Sequence, residues 1–122
     1  MIRENAIAAV LVLALPAVAV AADANNGKAL FSRCAACHTI TKGGPNGIGP
    51  NLFGVVGRKA GRAKDFSYSA ALKASGITWS PDKLDKWIEH PAALVPGNRM
   101  AFAGISDAGQ RADLIAYLAT LK

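Results

Sequence analysis

Two cysteines and two histidines are all that the 122 residues contain. That scarcity excludes a zinc finger, which needs further cysteines or a second close pair of histidines. No segment alternates apolar and polar residues as a half-buried strand does, so the βαβ setting of a thioredoxin-like dithiol is missing too. Internal repeats are absent. The lysines and arginines are scattered, which argues against a polybasic lipid-binding tract. Beyond the first twenty or so positions, large apolar residues are also few, and the core they could build is thin for a domain of this length.

What is present is concentrated in the pentapeptide Cys34-Ala35-Ala36-Cys37-His38, which uses both cysteines. C-x-x-C-H is the attachment signature of c-type haem. Two thiols one helical turn apart can add across the two vinyl groups of haem b as thioethers. The adjacent imidazole then lies under the ring and ligates iron from one face. A covalently bound macrocycle would supply the apolar area that the chain lacks, so the apo-chain is expected to be largely unfolded.

The N-terminus reads as a leader. Arg3 precedes a run from Ala6 to Ala22 with no charged or polar side chain, and Ala19-Val20-Ala21 is an A-x-A cleavage motif. A short apolar run, a proline before the cut (Pro16) and small residues at it make a secretory signal peptide. The alternative, an uncleaved anchor, would sit at the short limit of about 17–25 residues for a span, with Pro16 inside it. The expected organisation is a cleavable leader, 1–21, and one domain, 22–122. Export and haem attachment support each other, because attachment takes place outside the cytoplasm, in a bacterium the periplasm.

The formal net charge is +6. A basic protein can meet nucleic acid, anionic lipid or an acidic protein surface. Export removes the first and the scattered charges disfavour the second, leaving an acidic protein partner.

Along the domain, Asp23 to Asn26 reads as the start of a helix that runs into Cys34 with Leu30 and Phe31 on its buried side. From His38 to Leu52, and on past Gly61, glycine and proline mark ordered loop. Ser69 and Gly76 bracket a short helix as N-cap and C′ residue. Ser80-Pro81-Asp82 opens a stronger one, with Leu84, Trp87 and Ile88 on one face and Pro91 ending it. A last helix begins near Ser106 or Asp107 and carries the stripe Leu114, Ile115, Leu118 and Leu121. The fold class is all-α, with short helices and long ordered loops in a single small domain.

Iron held by His38 leaves its second axial position open. Beyond the leader the chain has one methionine, Met100, and one other histidine, His90. Met100 lies in the irregular segment Pro96-Gly97-Asn98-Arg99-Met100-Ala101-Phe102, where plain core packing is a poor explanation. A thioether favours Fe(II) and raises the reduction potential. His90, between an acid and a proline at a helix end, reads as a solvated capping residue. Met100 is therefore preferred to His90 or an open site.

With these residues assembled, the chain resembles the class I cytochromes c, those of mitochondria and small bacterial relatives. Matches run from Gly27 to the C-terminus: Cys34-Ala35-Ala36-Cys37-His38-Thr39, Gly49-Pro50-Asn51-Leu52, Gly57-Arg58-Lys59, Gly76-Ile77-Thr78-Trp79, Met100-Ala101-Phe102-Ala103-Gly104-Ile105 and Asp113-Leu114-Ile115-Ala116-Tyr117-Leu118. The resemblance implies one covalent haem c, held by Cys34 and Cys37 with iron ligated by His38 and Met100. It implies that the Pro50 carbonyl accepts the proximal imidazole's hydrogen bond, and that Arg58, Tyr68 and Trp79 hold the buried propionate. Gly27, Phe31, Leu114 and Tyr117 match a crossing of the first and last helices, and Phe102 an aromatic beside the exposed haem edge. Three positions depart from the mitochondrial pattern: Trp87 for a tyrosine, Leu72 for an asparagine and Asn98 for a threonine. The ring of basic residues that the family carries round the exposed haem edge is thinner here, with Lys28, Arg33 and Arg99 in matching regions.

The implied function is a soluble, monomeric periplasmic one-electron carrier, not an enzyme. Its expected partners are acidic docking surfaces on an oxidase, a quinol–cytochrome c reductase, a photosynthetic reaction centre or a periplasmic dehydrogenase. Nucleic acid is excluded, and the mature form is not membrane-embedded. A haem peroxidase or gas-binding cytochrome would need five-coordinate iron, which Met100 opposes. A membrane-anchored shuttle would need to retain residues 1–21.

Overall fold

Five helices and one 3₁₀ turn, joined by long loops, make up the domain in a computed structural model that describes residues 5–12 and 21–122. Most of the expected leader, including Pro16 and the first two residues of Ala19-Val20-Ala21, lies outside the described residues. Within 5–12 there is no regular secondary structure, and Ile7, Val10, Leu11 and Val12 stand exposed. Among the described residues no helix is long and apolar enough to cross a membrane.

Four of the five helices start where a short polar side chain takes an orphaned N–H of the first turn. Asp23 caps α1 (Ala24–Leu30) by accepting from the amides of Asn25 and Asn26. A 3₁₀ turn, Phe31–Arg33, carries the chain on to Cys34. Ser69 caps α2 (Ala70–Ala74), beyond which Gly76 takes a positive φ of 67°. Ser80 caps α3 (Pro81–Glu89), with Pro81 in the first turn and Asp82 beside it. Asp107 caps α5 (Ala108–Leu118) by accepting from Gln110.

The sequence reading differs from the structure at Pro91. Proline ends α3 as expected, with His90 extended at φ −160°, but it also opens a further short helix, α4 (Pro91–Leu94). The ring has no N–H to lose at a first helical position and its φ is already helical. The same residue is thus a stop and a start, and the reading of a stop alone missed α4.

Helices α1 and α5 cross at close range because Gly27 has no side chain. A Cβ there would run into the Asp113 carbonyl and press on Tyr117. Beside this crossing Phe31 and Tyr117 pack with ring centroids 5.7 Å apart. Asp113 also ties the helix ends together, accepting from the Asp23 amide at 2.7 Å and from the Asn26 side chain at 2.7 Å. These two bonds hold the Asp113 carboxyl below its ordinary pKa.

Helix α3 is joined to α5 through Arg111, a cation on the buried face. Its Nε donates to Asp85 at 2.7 Å, its Nη1 to the carbonyls of Ile105 and Ser106, and Glu89 lies 3.4 Å from Nη2. A buried charge is tolerable when it is paired and hydrogen-bonded in this way.

The described residues form no strand; Lys59 and Thr78 make one isolated antiparallel bridge. Order in the long loops comes from two asparagines instead. Asn46 accepts from the Asn51 amide and donates to the Lys64 carbonyl, each at 2.8 Å. Asn51 donates to the Thr41 and Gly44 carbonyls and accepts from the Phe53 amide. Such bonds satisfy backbone groups that helix or sheet would otherwise have to pair.

The buried apolar residues do not fill a solid centre. Phe31, Val55, Trp79, Leu84, Trp87, Ile88, Leu114 and Leu118 are buried, and all of them also line one cleft. The thin core expected from composition is here largely the wall of that cleft, backed by Ala60, Val95 and Ile105.

Candidate functional site

All eight residues singled out from the sequence line this cleft: Cys34, Cys37, His38, Pro50, Arg58, Tyr68, Trp79 and Met100. Its volume is about 370 Å³, within the range of roughly 300–1,000 Å³ common for cofactor pockets.

The attachment segment is a single turn following the 3₁₀ element. The Cys37 amide donates to the Cys34 carbonyl at 3.1 Å and the His38 amide to the same oxygen at 2.9 Å. Cys34, Cys37 and His38, brought together by this turn, all line the cleft. Cys34 is half-buried and Cys37 exposed. Burial pushes the Cys34 thiol up from its ordinary pKa, with nearby Arg33 opposing the rise.

His38 is oriented by Pro50. Nδ1 lies 2.8 Å from the Pro50 carbonyl oxygen. A carbonyl can only accept, so Nδ1 carries the proton and Nε2 keeps its lone pair. Burial holds the imidazole below its ordinary pKa, outweighing the Pro50 bond, which acts the other way. The shift favours the neutral ring, the form that ligates metal. Gly49, quoted above only as part of a motif, is the residue that lets the ring sit there: a Cβ on it would come within 3.0 Å of three imidazole atoms.

Met100 enters from the loop between α4 and α5. It is half-buried, with its amide bonded to the Asn98 side chain at 2.9 Å and its carbonyl accepting from Phe102 at 3.0 Å. His90 is exposed and does not line the cleft.

Arg58 supplies positive charge inside the apolar walls. Its guanidinium donates to the carbonyls of Asn51 and Phe53, at 3.1–3.3 Å. Among the described residues the ion pairs are those of Arg111, so Arg58 has no carboxylate partner there. Burial holds its pKa below the usual value. Tyr68 accepts from the Ala63 amide at 2.9 Å, which leaves its O–H proton free to donate. Trp79 is buried against Trp87, with centroids 5.1 Å apart.

These features fit haem c. Two thiols, a neutral imidazole of fixed tautomer and a thioether share a cleft with apolar walls, and a cation without a carboxylate partner suits a propionate. Among the described residues there is no cluster of three or more His, Cys, Asp or Glu to hold a metal ion by itself. A fold of short helices around such a cleft defines a haem-binding protein.

The comparisons with known proteins agree. The family model described as Cytochrome c matches residues 24–122. Cytochrome c2 of Rhodopila globiformis is 52% identical over 101 residues, covering 82% of this chain and 94% of that protein. A cytochrome c homolog of Bradyrhizobium diazoefficiens is 50% identical over 101 residues, although the match spans 55% of that longer protein. The solved structure of cytochrome cH from Methylobacterium extorquens superposes with a TM-score of 0.77 at 47% identity, covering 80% of this chain and 98% of that one. The chain belongs to the cytochrome c family, as a class I member with covalent haem c.

Two contributors to the site escaped the sequence reading. Gly49 was visible only as a motif position, since nothing in the sequence says that a ring packs on it. Asn98 was noted as a departure, but its two side-chain bonds were not foreseen.

Proposed function

We propose that the protein is a soluble one-electron carrier of the bacterial periplasm, using haem c ligated by His38 and Met100. One observation carries this reading: the Pro50 carbonyl fixes the proton on His38 Nδ1 and turns Nε2 toward ligation, in the cleft that also takes Cys34, Cys37 and Met100.

Haem c supplies one-electron exchange between Fe(II) and Fe(III). The chain's residues set the terms of that exchange. Cys34 and Cys37 would hold the macrocycle, and the Pro50 bond orients His38 and would raise its basicity as a ligand. Met100, a soft thioether, favours the reduced state. Arg58 and Tyr68 offer a cation and a hydroxyl proton to a propionate, with Trp79 closing the wall beside them. With His38 and Met100 both serving as ligands, the iron would have no position open to a substrate and no bond would be made.

The leader reading rests on the apolar run and its A-x-A motif, together with the exposure of Ile7, Val10, Leu11 and Val12. The partners are acidic surfaces of membrane redox complexes or periplasmic dehydrogenases, met at the cleft mouth. Arg33 and Arg99 are exposed residues of the cleft lining, which also includes Phe102. Redox encounters of this kind are small, at or below about 1,200 Å².

Potentiometric titration of the purified holoprotein tests the carrier, which should titrate reversibly as a single one-electron couple. Mass spectrometry of the same sample tests the leader: a mature chain beginning at Ala22 or Asp23 supports export and cleavage, and retention of residues 1–21 means an anchored protein.

A further inference from the structure

The loop that delivers Met100 contains no regular secondary structure between α4 and α5. A thioether on such a loop can leave iron whenever the loop opens, so something must hold its backbone. The Asn98 side chain makes two hydrogen bonds that do so. Its Oδ1 accepts from the Met100 amide at 2.9 Å and its Nδ2 donates to the Val95 carbonyl at 2.9 Å. Only this orientation of the amide satisfies both partners, because an N–H must donate and a carbonyl must accept. Val95 is itself fixed: its side chain is 5% exposed in the core and its amide bonds back to Pro91 in α4. The chain of contacts runs from core to Val95, from Val95 to Asn98, and from Asn98 to the backbone of Met100.

We propose that Asn98 is the positioning residue for the Met100 thioether, clamping the Met100 backbone to the core-anchored Val95 and keeping the ligand-off state scarce. The inference rests on Met100 being the sixth ligand. Bonds that exist only while the loop is closed add their free energy to the closed state. Losing them raises the open population by about tenfold, the equivalent of one to two net hydrogen bonds. An external ligand that binds only the open state then binds more tightly by the same factor, since its apparent affinity scales with the competent fraction.

The test is an imidazole titration of the ferric holoprotein, read by the loss of the weak long-wavelength absorption band that reports Fe–S ligation. Asn98→Ala should bind imidazole about tenfold more tightly than wild type. Asn98→Ser should fall between the two, because a hydroxyl can accept from the amide two residues on, although more weakly. Asp113→Asn, remote from the cleft at the α1–α5 contact, should lower overall stability without changing imidazole affinity. That contrast separates positioning of the ligand from general loosening. A wild-type band with unchanged imidazole affinity in Asn98→Ala would overturn the clamp alone, as would a serine variant no better than alanine. Equal gains in Asp113→Asn and Asn98→Ala would overturn it too. A wild type lacking the band would overturn the ligand assignment and the clamp together.

Discussion

Gly49 and His38 are packed so closely that a Cβ on the glycine would come within 3.0 Å of the ring atoms Cε1, Nδ1 and Nε2. On the imidazole's Nδ1, the next residue, Pro50, accepts the hydrogen bond that fixes the tautomer. Two consecutive residues therefore set the position and the protonation of the ring. Gly49→Ala should push the imidazole off the Pro50 carbonyl and destabilise the holoprotein by about 1–3 kcal/mol, the usual cost of overpacking. Urea unfolding followed by haem absorbance checks the loss. An alanine variant as stable as wild type, with an unshifted potential, would show that the ring has room the geometry denies it.

Replacement of Met100 by alanine should leave haem attached, because Cys34 and Cys37 hold it, while opening the sixth position. The long-wavelength ferric band should vanish and the reduction potential should fall, since Met/His ligation raises it. Absorption spectra and a redox titration of the variant measure both.

A shell of apolar side chains around a cleft cannot close on itself without its centre. Changing Cys34 and Cys37 together to serine should therefore yield little folded protein. Far-ultraviolet circular dichroism of the purified variant decides the matter, and a stable helical spectrum would contradict the account of the core.

Acid should weaken the α1–α5 contact through Asp113. Its carboxyl is held below the ordinary value of 3.8, first by the Asp23 amide and then by the Asn26 side chain. A group with a lowered folded pKa contributes stability that is complete above its unfolded pKa and is lost as pH falls through the folded one. Asp113→Asn should accordingly be less stable than wild type at neutral pH, and the gap should narrow below about pH 4. Denaturant midpoints across that range provide the check.

Steering at the cleft mouth should depend on salt. The Debye length falls from roughly 30 Å at 0.01 M to about 8 Å at 0.15 M, so association with an acidic partner should slow across that interval. Charge reversal at Arg33 or Arg99, both exposed at the mouth, should slow it further, and reversal at Lys122 should matter much less. Stopped-flow rates against the partner complex would reveal an apolar docking face if they were flat with ionic strength.

Four of the five helices were legible because their starts are written in local chemistry; α4, which no side chain caps, was not. Ser69, Ser80, Asp107 and Asp23 each cap the amides just ahead of them, and that information is contained in three or four residues. That the chemistry-bearing residues share one cleft was legible for a similar reason, since C-x-x-C-H is contiguous and Met100 had one histidine as its competitor. What escaped depends on distant partners. Asn46 orders its loop through Lys64, and Gly49 is constrained by a ring eleven residues before it. Arg111 is the instructive miss. It stands three and seven residues before the buried Leu114 and Leu118, so helical spacing alone placed it on the inner face. Its charge concealed that, because the acid that makes burial tolerable, Asp85, lies on another helix.

The central claim, an electron carrier whose iron is closed on both faces by His38 and Met100, is tested most directly by carbon monoxide. The difference spectrum of the reduced wild-type protein, with and without the gas, should be flat at neutral pH. A full carbonyl spectrum would mean an open sixth position, and the protein would then be a binder or an enzyme in place of a carrier.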